Sequence, residues 1–306
     1  MNRTRIALAL TASAAMLAVA ACGSSAPLAS GGSATTSSGA GTIIVGSANF
    51  PESALLAEIY AGALSAKGVK VEKKLNIGSR EVYIPALRDG SIDLIPEYTG
   101  VLDQYFNKSA KATDAAGVYA ELKAAVPATL TILDKSAAGD KDAVVVTKET
   151  AAKLGLKSIG DLASKAKDLT IGGPPEWKTR PTGVPGLKKL YNLDFKTFRA
   201  LDTGGPLSVQ ALKNGQVDAV DLFTTDPSIA ANGFVILDDP RSLFAAQNVV
   251  PLITKSKVNT VISDALNAVS AKLDTATLGE LVKEVVVDKK DASVVAKEFL
   301  TKNSLG

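Results

Sequence analysis

Apolar residues along the chain alternate between two spacings. Thr42-Ile43-Ile44-Val45 is a short apolar run closed by Gly46-Ser47, which reads as strand then turn. From Glu52 to Ala66, the residues Leu55, Leu56, Ile59, Ala63 and Leu64 recur at helical spacing. Val69 to Leu75 alternates as a strand does. Val82 to Leu87 returns to helical spacing, Gly90 interrupts it, and Ile92 to Ile95 is another short strand. Strands alternating with helices predict an α/β architecture with largely parallel sheets.

The first forty residues follow a different pattern. Arg3 and Arg5 precede an uncharged stretch from Ile6 to Ala21. That stretch is shorter than the ~20 apolar residues a membrane span needs, and it suits a secretory signal. It ends in Val19-Ala20-Ala21-Cys22, which resembles a bacterial lipobox. The resemblance implies cleavage after residue 21 and lipidation of Cys22. Gly23 to Gly41 holds mostly Gly, Ser, Ala and Thr with no charge, so it reads as a flexible tether. These segments predict a domain held by a lipid anchor just outside a membrane.

An internal echo follows. Ala86-Leu87-Arg88-Asp89-Gly90-Ser91-Ile92-Asp93 has a partner 125 positions later in Ala211-Leu212-Lys213-Asn214-Gly215-Gln216-Val217-Asp218. At the same offset Tyr98-Thr99 falls on Phe223-Thr224. Ile44-Val45-Gly46-Ser47 is echoed by Thr170-Ile171-Gly172-Gly173. Two related lobes are therefore expected, with Tyr98 and Phe223 just past equivalent strands. Ligands of open α/β sheets bind beyond such strand ends, so the two aromatics should face a shared cleft. Asp93 and Asp218, repeated with the motif, read as turn carboxylates rather than an acid pair.

Composition narrows the chemistry. The chain has 306 residues, a formal net charge of +3, no histidine and one cysteine. Histidine triads, histidine metal sites, an internal disulfide framework and Cys-rich zinc sites are thereby excluded. No Walker A loop, dinucleotide fingerprint or nucleophile elbow occurs, so neither an enzyme nor a cofactor is expected. No extended basic run marks a nucleic-acid partner. The adjacent Asp238-Asp239 is weak evidence for a cation.

Ile44-Val45-Gly46-Ser47-Ala48-Asn49-Phe50-Pro51-Glu52 resembles the opening of the glycine betaine/choline (osmoprotectant) binding proteins of ABC importers. Asp93-Leu94-Ile95-Pro96-Glu97-Tyr98-Thr99-Gly100 resembles that family's most distinctive motif. Arg180-Pro181-Thr182-Gly183, Tyr191-Asn192-Leu193, Phe223-Thr224-Thr225-Asp226 and Leu237-Asp238-Asp239 agree with it in order. The resemblance implies a two-lobed type II periplasmic-binding-protein fold. Lobe 1 would be 42–140 plus 248–306 and lobe 2 would be 141–247, with crossover strands at Asp142–Thr147 and Asn248–Ile253.

It also implies a monomeric, extracytoplasmic lipoprotein that captures a small solute between the lobes for a permease and ATPase complex. Tyr98 matches an aromatic-cage tyrosine, Phe223 a second cage position, and Arg180 a carboxylate-binding arginine. Ser47, Asn49 and Phe50 occupy the helix start facing the cleft, with Glu52 as a capping carboxylate. Trp177 and Thr224 complete the expected lining. The chain departs from the family where Gln247 and Asn248 replace a cage tyrosine, Ala48 replaces a lysine, and Lys141-Asp142-Ala143 lacks an aromatic. This is the pattern of a subgroup with a depleted cage. It leaves open a ligand other than betaine, such as another zwitterion or a hydroxylated aromatic, and equally a tethered sensor without transport.

Overall fold

The computed structural model describes residues 41–306. The expected signal segment 1–21, Cys22 and the tether up to residue 40 lie outside the described residues.

Among the described residues, ten strands form two five-stranded sheets. The first holds β1 (Ile43–Gly46), β2 (Val71–Lys74), β3 (Leu94–Tyr98) and β4 (Leu130–Ile132), and also β10 (Val249–Thr254), in the order β2-β1-β3-β10-β4. The second holds β5 (Asp142–Val146), β6 (Thr170–Gly173), β7 (Thr197–Ala200), β8 (Ala219–Phe223) and β9 (Val235–Ile236), in the order β7-β6-β8-β5-β9. Apolar clusters cover both faces of each sheet, which is the layered arrangement α/β elements need to bury their apolar sides.

The helix expected from Glu52 is α1 (Pro51–Ala66), with Pro51 in its first turn, where its missing N–H costs nothing. The helix expected at Val82 is α2 (Arg80–Arg88).

The sheets are mixed rather than largely parallel. β1 runs parallel to β2 and β3, and β6 runs parallel to β7 and β8. β10 is antiparallel to β3 and β4, while β5 is antiparallel to β8 and β9. The reason is connectivity: β5 and β10 are entered from the opposite sheet, so each runs against the strand that leaves toward it.

Both repeats have one structural meaning. Asp93 accepts from Ile44 N–H at 2.9 Å while its own N–H donates to the Ile44 carbonyl at 2.8 Å. Asp218 does the same with Thr170, at 2.8 and 2.9 Å. Each carboxylate clamps the central parallel strands of its sheet together. The echoed Gly46 and Gly172 sit where a Cβ would come within 2.8 Å of Ile92 Cδ1 and 2.5 Å of Leu201 Cδ1, so a side chain at either position needs those apolar side chains to shift. Asp239 is also structural, accepting from the Tyr191 hydroxyl and from Phe244 N–H.

Two crossings join the sheets, and they pair with each other. Gly139 bridges Asn248 in antiparallel fashion. Asp140 N–H donates to the Gln247 carbonyl at 3.0 Å, and Ser136 N–H to the Val249 carbonyl at 2.8 Å. The crossings therefore form a short two-stranded ribbon.

Candidate functional site

Tyr98 and Phe223 are the last residues of β3 and β8, the equivalent strands of the two sheets. Opposite each stands the first residue of the antiparallel crossover strand, Val249 against Tyr98 and Asp142 against Phe223. Tyr98, Phe223 and Asp142 line one cleft, whereas Val249 is buried in the core of its sheet. That cleft holds about 670 Å³ including its mouth.

Six of the ten residues expected at the site line it: Asn49, Phe50, Tyr98, Arg180, Phe223 and Gln247. Phe50 lies between the other two rings, with centroids 6.1 Å from Tyr98 and 5.2 Å from Phe223. The rings pack on one another rather than standing apart as an open cage. Arg180 reaches across from the second sheet's side to Glu81, with Nε and Nη2 donating at 3.1 and 2.8 Å.

The other four expected residues stand behind the lining. Ser47 is fully buried, accepting from Asn76 N–H at 2.7 Å and donating to the Ala48 carbonyl. Trp177 is buried and stacks on Phe244 at 6.4 Å, stapling its loop to the core beneath. Thr224 ties the ribbon to the end of β8: its hydroxyl accepts from Lys141 N–H and donates to Asp140. Asn248 donates to the Ser136 carbonyl within the ribbon at 3.0 Å.

Glu52 does not cap its helix. Its carboxylate turns inward, accepting from the Tyr98 hydroxyl at 2.5 Å and from the Thr225 hydroxyl at 2.8 Å. Because Tyr98 ends β3 and Thr225 follows β8, this one side chain bridges both sheets. Burial pushes the Glu52 carboxyl up, against the lowering pull of those hydroxyls.

Sequence reasoning missed the acidic lining. Asp140, Asp142 and Asp221 all face the cleft. Asp140 and Asp221 are 3% and 2% exposed. Burial raises Asp140 well above the carboxylate range, helped by the charge of Glu52. Burial raises Asp221 likewise, helped by Asp142 and opposed by Arg180. Asp142 is raised by burial against the pull of Arg180 and Arg80. The one available signal was Asp221 itself, a lone carboxylate inside the apolar strand Ala219-Val220-Asp221-Leu222-Phe223. A buried charge in such a strand calls for a reason. Arg80 and Tyr83 also line the cleft; both donate to the buried Glu97, Arg80 through Nε and Nη2 at 2.8 Å and Tyr83 at 2.7 Å.

Two α/β sheets, joined by paired crossings and sharing a polar cleft at their strand ends, define a solute-binding protein of the periplasmic type. Residues 41–302 match the family described as the substrate binding domain of an ABC-type glycine betaine transport system, OpuAC. The chain belongs to that family, whose members are transport substrate-binding proteins and not enzymes.

It is similar to a glycine-betaine-binding protein of Pseudomonas aeruginosa, 28% identical over 86% of this chain and 88% of that one. It is similar also to the carnitine transport binding protein OpuCC of Listeria monocytogenes, 26% identical over 86% of this chain and 87% of that one. A crystal structure of a glycine betaine/carnitine/choline ABC transporter superposes with a TM-score of 0.67 at 26% identity, covering 86% of this chain and 99% of that one. Among the described residues no helix is long and apolar enough to cross a membrane.

Proposed function

We propose that this chain is the extracytoplasmic, lipid-anchored binding component of an ABC importer. It captures a small cationic or zwitterionic solute between its two sheets and hands it to a permease. The observation that carries this reading is the cleft, lined from both sheets, whose two backbone crossings pair in the Gly139–Asn248 ribbon. The sheets then act as lobes 42–140 plus 248–306 and 141–247, turning about the ribbon. A solute touching both lobes favours the closed arrangement by its differential contacts. Relatives named for glycine betaine and carnitine support a small charged solute. Cys22, after its small-residue run, supplies the anchor, and the uncharged tether supplies reach.

The test is a thermal-shift panel on the full chain with betaine, choline, carnitine, ectoine, proline, amino acids and polyphenols. A ligand at 100 times its dissociation constant adds ~2.7 kcal/mol, or about 5–10 °C for a domain of this size. Silence across the panel, together with no co-capture of a permease, overturns the reading. Cys22→Ser should move the protein from the membrane to the soluble fraction; unchanged partition refutes the anchor.

A further inference from the structure

We propose that the cleft selects a cation carrying its own N–H donors, with a hydrogen-bond acceptor at its other end, in preference to a fully methylated ammonium. The inference rests on the solute-binding reading above and narrows its ligand class.

Charge balance comes first. Both arginines of the cleft are engaged with glutamates, Arg80 with Glu97 and Arg180 with Glu81. Asp140, Asp142 and Asp221 form no ion pair among the described residues. Asp142 and Asp221 lie diagonally on one face of adjacent strands, since Asp142 stands opposite Phe223 and Val144 opposite Asp221. The wall is rich in carboxyls that burial holds toward the protonated form, and a cation set against them favours their ionised form and pairs with it.

The second observation is unmet hydrogen bonding. Asp221 Oδ1 and Asp140 Oδ2 have no partner, and neither does Gln247 Nε2. All three residues are at least nine-tenths buried and face the cleft. The Gln247 amide is held in place by its other atom, Oε1, which accepts from Val101 N–H at 3.0 Å. Two acceptors and one donor on residues of the cleft wall are therefore left without a partner. A ligand that meets them brings N–H groups to the aspartates and an oxygen to Gln247.

A quaternary ammonium has no N–H to give. It needs open ring faces within ~6 Å of a ring centroid. Here Phe50 packs against both Tyr98 and Phe223 at tilts of 32° and 35°, so part of each ring's surface is spent on its neighbour. Nor is a metal ion the complement, since no group of three or more such ligands among the described residues is arranged to hold one.

The experiment is calorimetry on the full chain with two methylation series. One is ethanolamine, N-methylethanolamine, N,N-dimethylethanolamine and choline; the other is glycine, sarcosine, dimethylglycine and glycine betaine. Each keeps its oxygen while N–H donors are removed one at a time. Affinity should fall along at least one series, with the unmethylated member about tenfold or more tighter than the fully methylated one, the worth of one charge-assisted bond. Asp221→Asn should flatten that gradient.

Choline and glycine betaine each binding as tightly as its unmethylated parent overturns the inference, and so does binding by none of the eight. The order along the series in the unaltered chain decides the matter without any variant. A response of the wider panel alongside a failed gradient removes this inference alone. Silence of both removes the import reading as well.

Discussion

Two arginine–glutamate forks flank the cleft with nearly the same bond lengths and different burial. Arg80 and Glu97 meet at 2.8 Å twice, with side chains 8% and 0% exposed. Arg180 and Glu81 meet at 3.1 and 2.8 Å, with side chains 22% and 44% exposed. Glu97 also accepts from the Tyr83 hydroxyl and from Tyr98 N–H. Glu97→Gln keeps the shape but strands the Arg80 charge in the interior and turns an acceptor into a donor. Removing one partner of a buried pair costs ~3–5 kcal/mol, whereas a solvent-open pair is worth about 0–1 kcal/mol.

At about 2–4 °C per kcal/mol, Glu97→Gln should lower Tm by roughly 6–20 °C, and Glu81→Gln by no more than about 4 °C. Scanning calorimetry at pH 7, with urea melts for ΔG, reads both. The double change Arg80→Met with Glu97→Met should recover much of the loss, because the desolvation cost leaves with the charges. Equal shifts for the two single variants, or a Glu97→Gln shift under about 2 °C, would refute the argument from burial.

Three further outcomes follow from other contacts. Burial, and next the charge of Asp142, hold Asp221 well above the carboxylate range; Asp140 is close enough to repel it as well, while Arg180 opposes. The folded state then binds a proton the unfolded chain has lost, so this group's contribution falls as pH rises from about 4 through its folded value. Asp221→Asn should therefore raise Tm at pH 8 and flatten its decline from pH 5; an unchanged slope counts against it. Glu81 has the opposite sign: partial burial is outweighed by the Arg180 hydrogen bonds and charge, which hold it at about 2, so its share persists until pH falls from about 4.5 toward that value. In Glu81→Gln the acid limb of the Tm profile should lose that component, and a profile identical to the parent's below pH 4 contradicts it. Gly204 has φ +60°, and a Cβ there would stand 2.7 Å from Phe223 Cδ2. Gly204→Ala should cost at least ~1–2 kcal/mol in urea melts, and parental stability would contradict both the left-handed strain and the Phe223 contact.

The repeat made half of the site readable. Offset alone paired Tyr98 with Phe223, and the same offset marked Asp93 and Asp218 as structural turn carboxylates, which the structure places as strand clamps. Proximity in sequence was less informative. Asn248 adjoins Gln247, yet one side chain serves the ribbon and the other faces the cleft, because neighbouring residues of extended backbone point to opposite sides. Trp177 follows an echoed glycine turn but folds under it onto Phe244. The acidic wall was hidden because its members come from two distant segments. Asp140 and Asp142 read as a charged loop entering a strand, and only the antiparallel pairing of β5 with β8 sets them beside Asp221. The same pairing explains why the sheets are mixed.

The ribbon between the sheets has a consequence for how such a protein changes its diet. Asp140 and Gln247 are bonded to each other through the backbone where the crossings pair, and both line the cleft. The joint and part of the cleft wall are built from the same two crossings. A substitution there that alters which molecule is preferred also alters the stiffness and resting angle of the jaws. On the import reading proposed above, new specificity in this scaffold is inherited together with a new mechanical set-point, and the permease must accept both at once.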